Sequence, residues 1–117
     1  MRLDIKTTNL SLTPSLKIFI EEKILSLDKF LLDFNRQTDI PVWVEIGKTT
    51  QHHKKGQIFR AEAGIKLPKK LLYASAELPE LHLAITELRS CLQQQINSYK
   101  SHLKKNIHKI RGAEKIK

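Results

Sequence analysis

The sequence predicts one α+β domain with the element order β-α-β-β-β-α. Three observations carry this. Four short segments alternate apolar and polar residues with the period of a strand, two longer segments repeat aliphatic residues every three or four positions, and the two kinds are interleaved in that order. A chain of 117 residues fits one core, burying roughly two-thirds of the surface its unfolded state exposes.

The first element is "RLDIKT", where Leu3 and Ile5 alternate with Arg2, Asp4 and Lys6. Thr13-Pro14 then reads as a helix N-cap with proline at the first helical position, where its missing N–H costs nothing. Leu16, Phe19, Ile20, Ile24, Leu27 and Leu31 follow as one apolar stripe, predicting a helix of about eighteen residues that ends near "DFNRQTD".

"IPVWVEIGKT" is β-branched and aromatic, with Val42, Val44 and Ile46 on one face and Trp43 and Glu45 on the other. Pro41 stands at its start, where no ladder donor is needed. "QIFRAEAGIKL" alternates again, so a hairpin is expected around Gln51–Gly56. "LPKK" then turns the chain into a short strand, "LLYASAEL".

The last element opens at Pro79-Glu80, with the acid well placed against a helix N-terminus. Leu81, Ile85, Leu88, Leu92, Ile96, Tyr99 and Leu103 then recur at spacings of three and four, and Ile107 and Ile110 extend the stripe. A helix from Glu80 to Ile110 is about 45 Å long, whereas strands of this size span roughly 17–20 Å. Its last turns are expected to overhang the body or fray. Residues 1–105 are therefore read as the body and 106–117 as a basic, partly disordered tail.

Charge is unevenly spread. The chain has 21 Lys and Arg against 12 Asp and Glu, a net charge of +9. Seven of the bases fall in Ser98–Lys117 beside one acid, Glu114. Charge gathered in this way favours a polyanion, nucleic acid first and an anionic membrane surface second. On a helical projection Arg89, Lys100, Lys104 and Arg111 share a sector about 60° wide beside the apolar stripe, and Lys105 and Lys109 line its other flank. A Lys-rich helix face is often merely solvated, but the scarcity of acids after Glu87 favours a phosphate-binding surface.

The stretch "YASAELPELHLAITELRSCLQQQINSYKSHLKK" resembles the signature region of the ribosome hibernation-promoting factor family, which includes the ribosome-associated inhibitor A proteins. Ala74, Ala76 and Glu77 stand at its A-x-A-E strand, followed by the acid Glu80 and the dipeptide Ala84-Ile85. Leu92, Gln95 and Ile96 take the places of its L-x-x-Q-L, with Lys100 and Lys104 as the spaced lysines. The first helix is similar in kind, with Lys23 and Leu27 in "EEKILSLDKF", which also carries Lys29. The resemblance covers roughly residues 1–105.

That resemblance implies a four-stranded sheet with two helices packed on one face. It further implies a non-enzymatic, cytoplasmic protein, monomeric off the ribosome, which meets the small ribosomal subunit, its 16S rRNA and the 70S ribosome. Basic side chains would face RNA in the channel used by messenger and transfer RNA, inhibiting translation and preserving idle ribosomes under stress, in starvation, cold or stationary phase. The RNA-binding residues expected are Lys23, Lys29, Lys54, Lys55, Arg89, Lys100, Lys104, Lys105 and Lys109. Family members often carry Lys or Arg where this chain has Cys91, Gln94 and Ser98, and an Asp where it has Thr86. Phosphate contact is therefore expected to have moved towards the end of the helix. At this length the dimerising domain of the long forms is not expected.

Other chemistry finds less support. The one cysteine, Cys91, excludes an intramolecular disulfide and reads as a small packing residue rather than a nucleophile. His52 and His53, adjacent in an expected extended loop, are poorly placed to point at one ion and have no acid or Cys nearby in sequence, so no metal is expected; with Lys54 and Lys55 they suit a phosphate contact or a solvated turn. Trp43 and Tyr73 read as sheet-face aromatics, with base stacking the minority reading, and Arg60 and Lys66 read as exposed sheet positions. There is no nucleotide fingerprint or hydrolase elbow, which argues against an enzyme, a cofactor or a small-molecule substrate. The start lacks a signal-peptide core, and no run approaches the roughly 18 apolar residues of a membrane span. The alternatives are a generic double-stranded RNA-binding module, which normally begins with a helix, and a protein-level regulator of transcription.

Overall fold

The computed structural model describes residues 1–32, 40–49 and 56–116, with side chains described as far as residue 103. Its elements are β1 (Arg2–Thr8), α1 (Pro14–Leu25), a 3₁₀ turn (Asp28–Phe30), β2 (Pro41–Thr49), β3 (Ile58–Leu67), β4 (Lys70–Leu78) and α2 (Leu81–Ile116). The expected α+β order is the one observed.

The strands lie side by side in the order β1-β2-β3-β4. β1 runs parallel to β2, with Leu3 opposite Val42 and Ile5 opposite Val44. β2, β3 and β4 are antiparallel neighbours, and β3 and β4 are joined by a two-residue turn between the paired Leu67 and Lys70. A parallel pair requires a crossover, which α1 provides.

Period-2 alternation fixes which face is covered. Val42, Val44, Ile46, Ala61, Ala63, Ile65, Leu72 and Ala74 are buried on one side of the sheet. Both helices cover that side, α2 over β3 and β4 and α1 beside it against β1. Ala61, Ala63, Ala74 and Ala76 lie in the two strands beneath α2, and their small side chains leave room for its Ala84, Ile85, Leu88, Leu92 and Ile96, all buried. Each fully buried Leu or Ile of this seam contributes about 1.5–3 kcal/mol relative to exposure.

Among the described residues no element covers the other face of the sheet. Read across the strands, its rows are Arg2-Pro41-Lys66-Leu71, Asp4-Trp43-Gly64-Tyr73, Lys6-Glu45-Glu62-Ser75 and Thr8-Gly47-Arg60-Glu77.

Both helix starts are as the sequence predicts. The Thr13 hydroxyl accepts the Leu16 N–H at 3.2 Å, with Pro14 in the first turn. The Glu80 carboxylate accepts the Leu83 N–H at 2.6 Å, and this hydrogen bond lowers its pKa. The end of α1 corrects the sequence expectation: the helix stops at Leu25, and Ser26 caps it. The Ser26 hydroxyl donates to the Lys23 carbonyl at 2.6 Å, and the chain tightens into the 3₁₀ turn. Leu27 and Leu31 stay fully buried through that turn, so the apolar stripe outlasts the helix that the spacing predicts. The 36-residue α2 extends about 54 Å, in a molecule 63 Å in its longest dimension. No described helix is long and apolar enough to cross a membrane.

Candidate nucleic-acid interface

Three basic residues of the helical layer, Lys23, Lys29 and Arg89, lie around the C-terminal end of α1. Arg89, on the third turn of α2 beside its buried seam, donates from Nε to the Ser26 hydroxyl at 2.7 Å and from Nη1 to the Gln93 side-chain oxygen at 2.9 Å. Ser26 in turn holds the Lys23 carbonyl, so a chain of hydrogen bonds joins the two helices. A helix C-terminus carries partial negative charge from its unpaired carbonyls, which favours cations there. Lys23 lies in that last turn.

Two of the lysines lie close to aromatic rings. Lys23 Nζ lies 5.6 Å from the centroid of Phe19, and Lys29 Nζ lies 5.2 Å from that of Phe30. Such contacts orient an ammonium without neutralising it. Lys23, Lys29 and Arg89 are thereby gathered around one corner. Lys100 is three turns further along α2, about 16 Å away along the axis, and is half-buried.

The remaining expected contacts are differently placed. Lys54 and Lys55, with His52 and His53, lie outside the described residues. Lys104, Lys105 and Lys109 are on the helical backbone of α2, and their side chains are outside the described set.

Ser26 and Gln93 were not singled out in the sequence. Gln93 stands four residues after Arg89, a spacing that pairs side chains on a helix and was a usable signal. Ser26 is 63 residues from Arg89, and nothing local marks it as a partner.

The one thiol of the layer is not set up as a nucleophile. Cys91 is half-buried with its sulfur 3.8 Å from Glu87 Oε1. Burial first, and then the Glu87 charge, pushes its thiol pKa up, away from the thiolate a nucleophile requires. Among the described residues no group of three or more His, Cys, Asp and Glu is placed to hold a metal ion. Trp43 and Tyr73 lie on the open sheet face with Arg60 and Lys66, away from this layer.

Residues 3–104 match the family described as Sigma 54 modulation protein / S30EA ribosomal protein. A ribosome hibernation promoting factor from Klebsiella oxytoca is 27% identical over 106 residues, covering 91% of this chain and all of that protein. The crystal structure of the N-terminal domain of Thermus thermophilus Protein Y superposes with a TM-score of 0.68 at 21% identity, over 85% of this chain and 99% of the other. A ribosomal subunit interface protein from Coxiella burnetii superposes with a TM-score of 0.65 at 19% identity, over 86% and 99%. These two structures share the fold. The match across residues 3–104 places the chain in the Sigma 54 modulation protein / S30EA ribosomal protein family, whose members are ribosome-associated proteins and not enzymes.

Proposed function

We propose that this protein is a ribosome hibernation factor that occupies the messenger and transfer RNA channel of the small subunit, blocks initiation and preserves idle ribosomes. The helical layer meets 16S rRNA, with Lys23, Lys29, Arg89 and Lys100 directed at phosphates and Lys104, Lys105 and Lys109 continuing the surface along α2. Lys54 and Lys55 add a second contact from the β2–β3 connection. Off the ribosome the protein is a monomer, in the cytoplasm.

One observation supports this most: the Arg89 guanidinium is held by Ser26 and Gln93 at the end of α1, beside Lys23, and both its hydrogen-bond partners are neutral. Its charge is therefore directed by the fold without being neutralised there, as a phosphate site requires. The relative from Klebsiella oxytoca, named for ribosome hibernation, is matched over its whole length.

The test is co-sedimentation with 30S subunits between about 50 and 200 mM salt, together with inhibition of translation in a reconstituted system. With about 0.7–0.9 counterions released per phosphate neutralised, several contacts give a log–log slope of several units. A slope near zero, or binding with undiminished translation, overturns the proposal.

A further inference from the structure

The open face of the sheet has a shallow aromatic platform. Trp43 on β2 and Tyr73 on β4 flank Gly64 on β3 in one cross-strand row. Their ring centroids are 6.0 Å apart with the planes at 42°. Gly64 permits this, since a Cβ there would fall onto the Trp43 indole. The Tyr73 hydroxyl is fixed by donating to Glu62 at 2.6 Å, and Glu62 is also met by Arg60 at 3.5 Å. Both rings stay accessible, Trp43 at 38% and Tyr73 at 43%.

Charge is asymmetric about this row. The neighbouring row towards the start of β2 holds Arg2 and Lys66 and no acid, while Asp4 stands at the β1 end of the aromatic row itself. Neither base has an ion pair with another described residue. The row on the other side holds Glu45 and Glu62, with Lys6 opposite Glu45 on the edge strand. Successive residues on one face of a strand are about 7 Å apart, close to the distance between a stacked base and its own phosphate.

We propose that this face binds an unpaired stretch of RNA, its bases stacked on Trp43 and Tyr73 and its phosphates directed to Arg2 and Lys66. Flat rings accept any base, and aromatic residues on an exposed sheet are one way proteins hold single strands. Lys6 and Arg60 offset part of the charge of Glu45 and Glu62, but the far side is still the less favourable one for phosphate, so the backbone lies towards Arg2 and Lys66. A proline-rich peptide also docks on aromatic rings, but it brings no negative charge to Arg2 and Lys66. This site lies across the sheet from the helical layer and goes beyond the function proposed above. A protein carrying both would hold rRNA on its helices and a second, unpaired strand on its sheet.

Trp43 is the only tryptophan in the chain, so its emission reports this face alone. The full chain is titrated with hexauridylate, with circular dichroism as the folding control. Saturable quenching is expected, weakened about tenfold by Tyr73→Leu, since removing one stacking ring typically has an effect of this order. Lys66→Gln, at an exposed position, should lower the salt slope by about 0.7. The double variant Lys23→Gln, Arg89→Gln should retain the quenching even where 30S binding is lost, which separates this site from the helical surface. Unchanged emission, quenching indifferent to Tyr73→Leu and Lys66→Gln, or stronger quenching by an A-form duplex or by decaproline would each overturn the proposal.

Discussion

The guanidinium of Arg89 reaches from α2 to the hydroxyl of Ser26 at the end of α1, Nε to Oγ 2.7 Å. This bond ties the Arg89 side chain to the end of α1. Ser26→Ala should leave the protein folded, losing about 0.5–1.5 kcal/mol, while weakening 30S binding because Arg89 is no longer held. Arg89→Lys keeps the charge but cannot donate in a fixed fork to both Ser26 and Gln93, so it should not restore wild-type binding. Urea unfolding and co-sedimentation on the same variants separate the two effects.

Neutralising Lys100, Lys104, Lys105 and Lys109 together should weaken 30S binding more than neutralising Lys54, Lys55 and Lys66. Cys91, Gln94 and Ser98 bring no positive charge to the middle of α2, which leaves the helix dependent on its later lysines. Surface substitutions of this kind usually shift stability by less than about 0.5 kcal/mol each. Equal binding by the α2 variant and the wild type, with circular dichroism unchanged, would assign these lysines to solvation.

Gly64→Ala should displace the Trp43 indole, since the new Cβ collides with it. The ring faces solvent and can swing away, so the loss belongs at the low end for overpacking, about 1 kcal/mol. A shift of tryptophan emission in the folded state, together with a lowered urea midpoint, checks both parts.

Glu80 accepts the Leu83 N–H in the first turn of α2, which lowers its pKa. A lowered folded-state pKa means that the unfolded chain takes up the proton first. The contribution is therefore present above the ordinary glutamate pKa of about 4.3 and disappears as pH falls through the lowered value. Glu80→Gln should melt below wild type at pH 7, and the gap should close at pH 2–3.

Cys91→Ser should leave 30S binding and translation inhibition intact. In the wild type, the raised thiol pKa keeps the sulfur protonated near neutrality, so iodoacetamide should modify Cys91 more slowly than free cysteine.

How much of this was legible in the sequence follows from what each signal measures. Alternation at Val42, Val44 and Ile46 reports a face, and those residues are buried. The spacing of Leu27 and Leu31 reports burial too, but not backbone form. Both are buried on a chain that has already left the α-helix at Ser26. The charges of Lys23 and Arg89 were legible, while the Ser26 that orients Arg89 was not, because their contact depends on how two helices cross. The platform was hidden for a similar reason. Trp43, Gly64 and Tyr73 become one row only when the register of three strands is known.

The parallel pairing of β1 with β2 has a consequence for the order in which the chain assembles. Leu3 meets Val42 across the whole of α1, whereas β3 and β4 close on a two-residue turn. Closing a long loop costs more entropy before any contact rewards it, by about 0.6 kcal/mol for each doubling of length. The β2-β3-β4 meander can therefore form as a template, with β1 and α1 arriving late. Under native conditions the same segment is the natural unit of partial opening. Because Ser26 belongs to it, each such excursion releases the partner that holds Arg89, tying the readiness of the charged corner to the local stability of the first thirty residues.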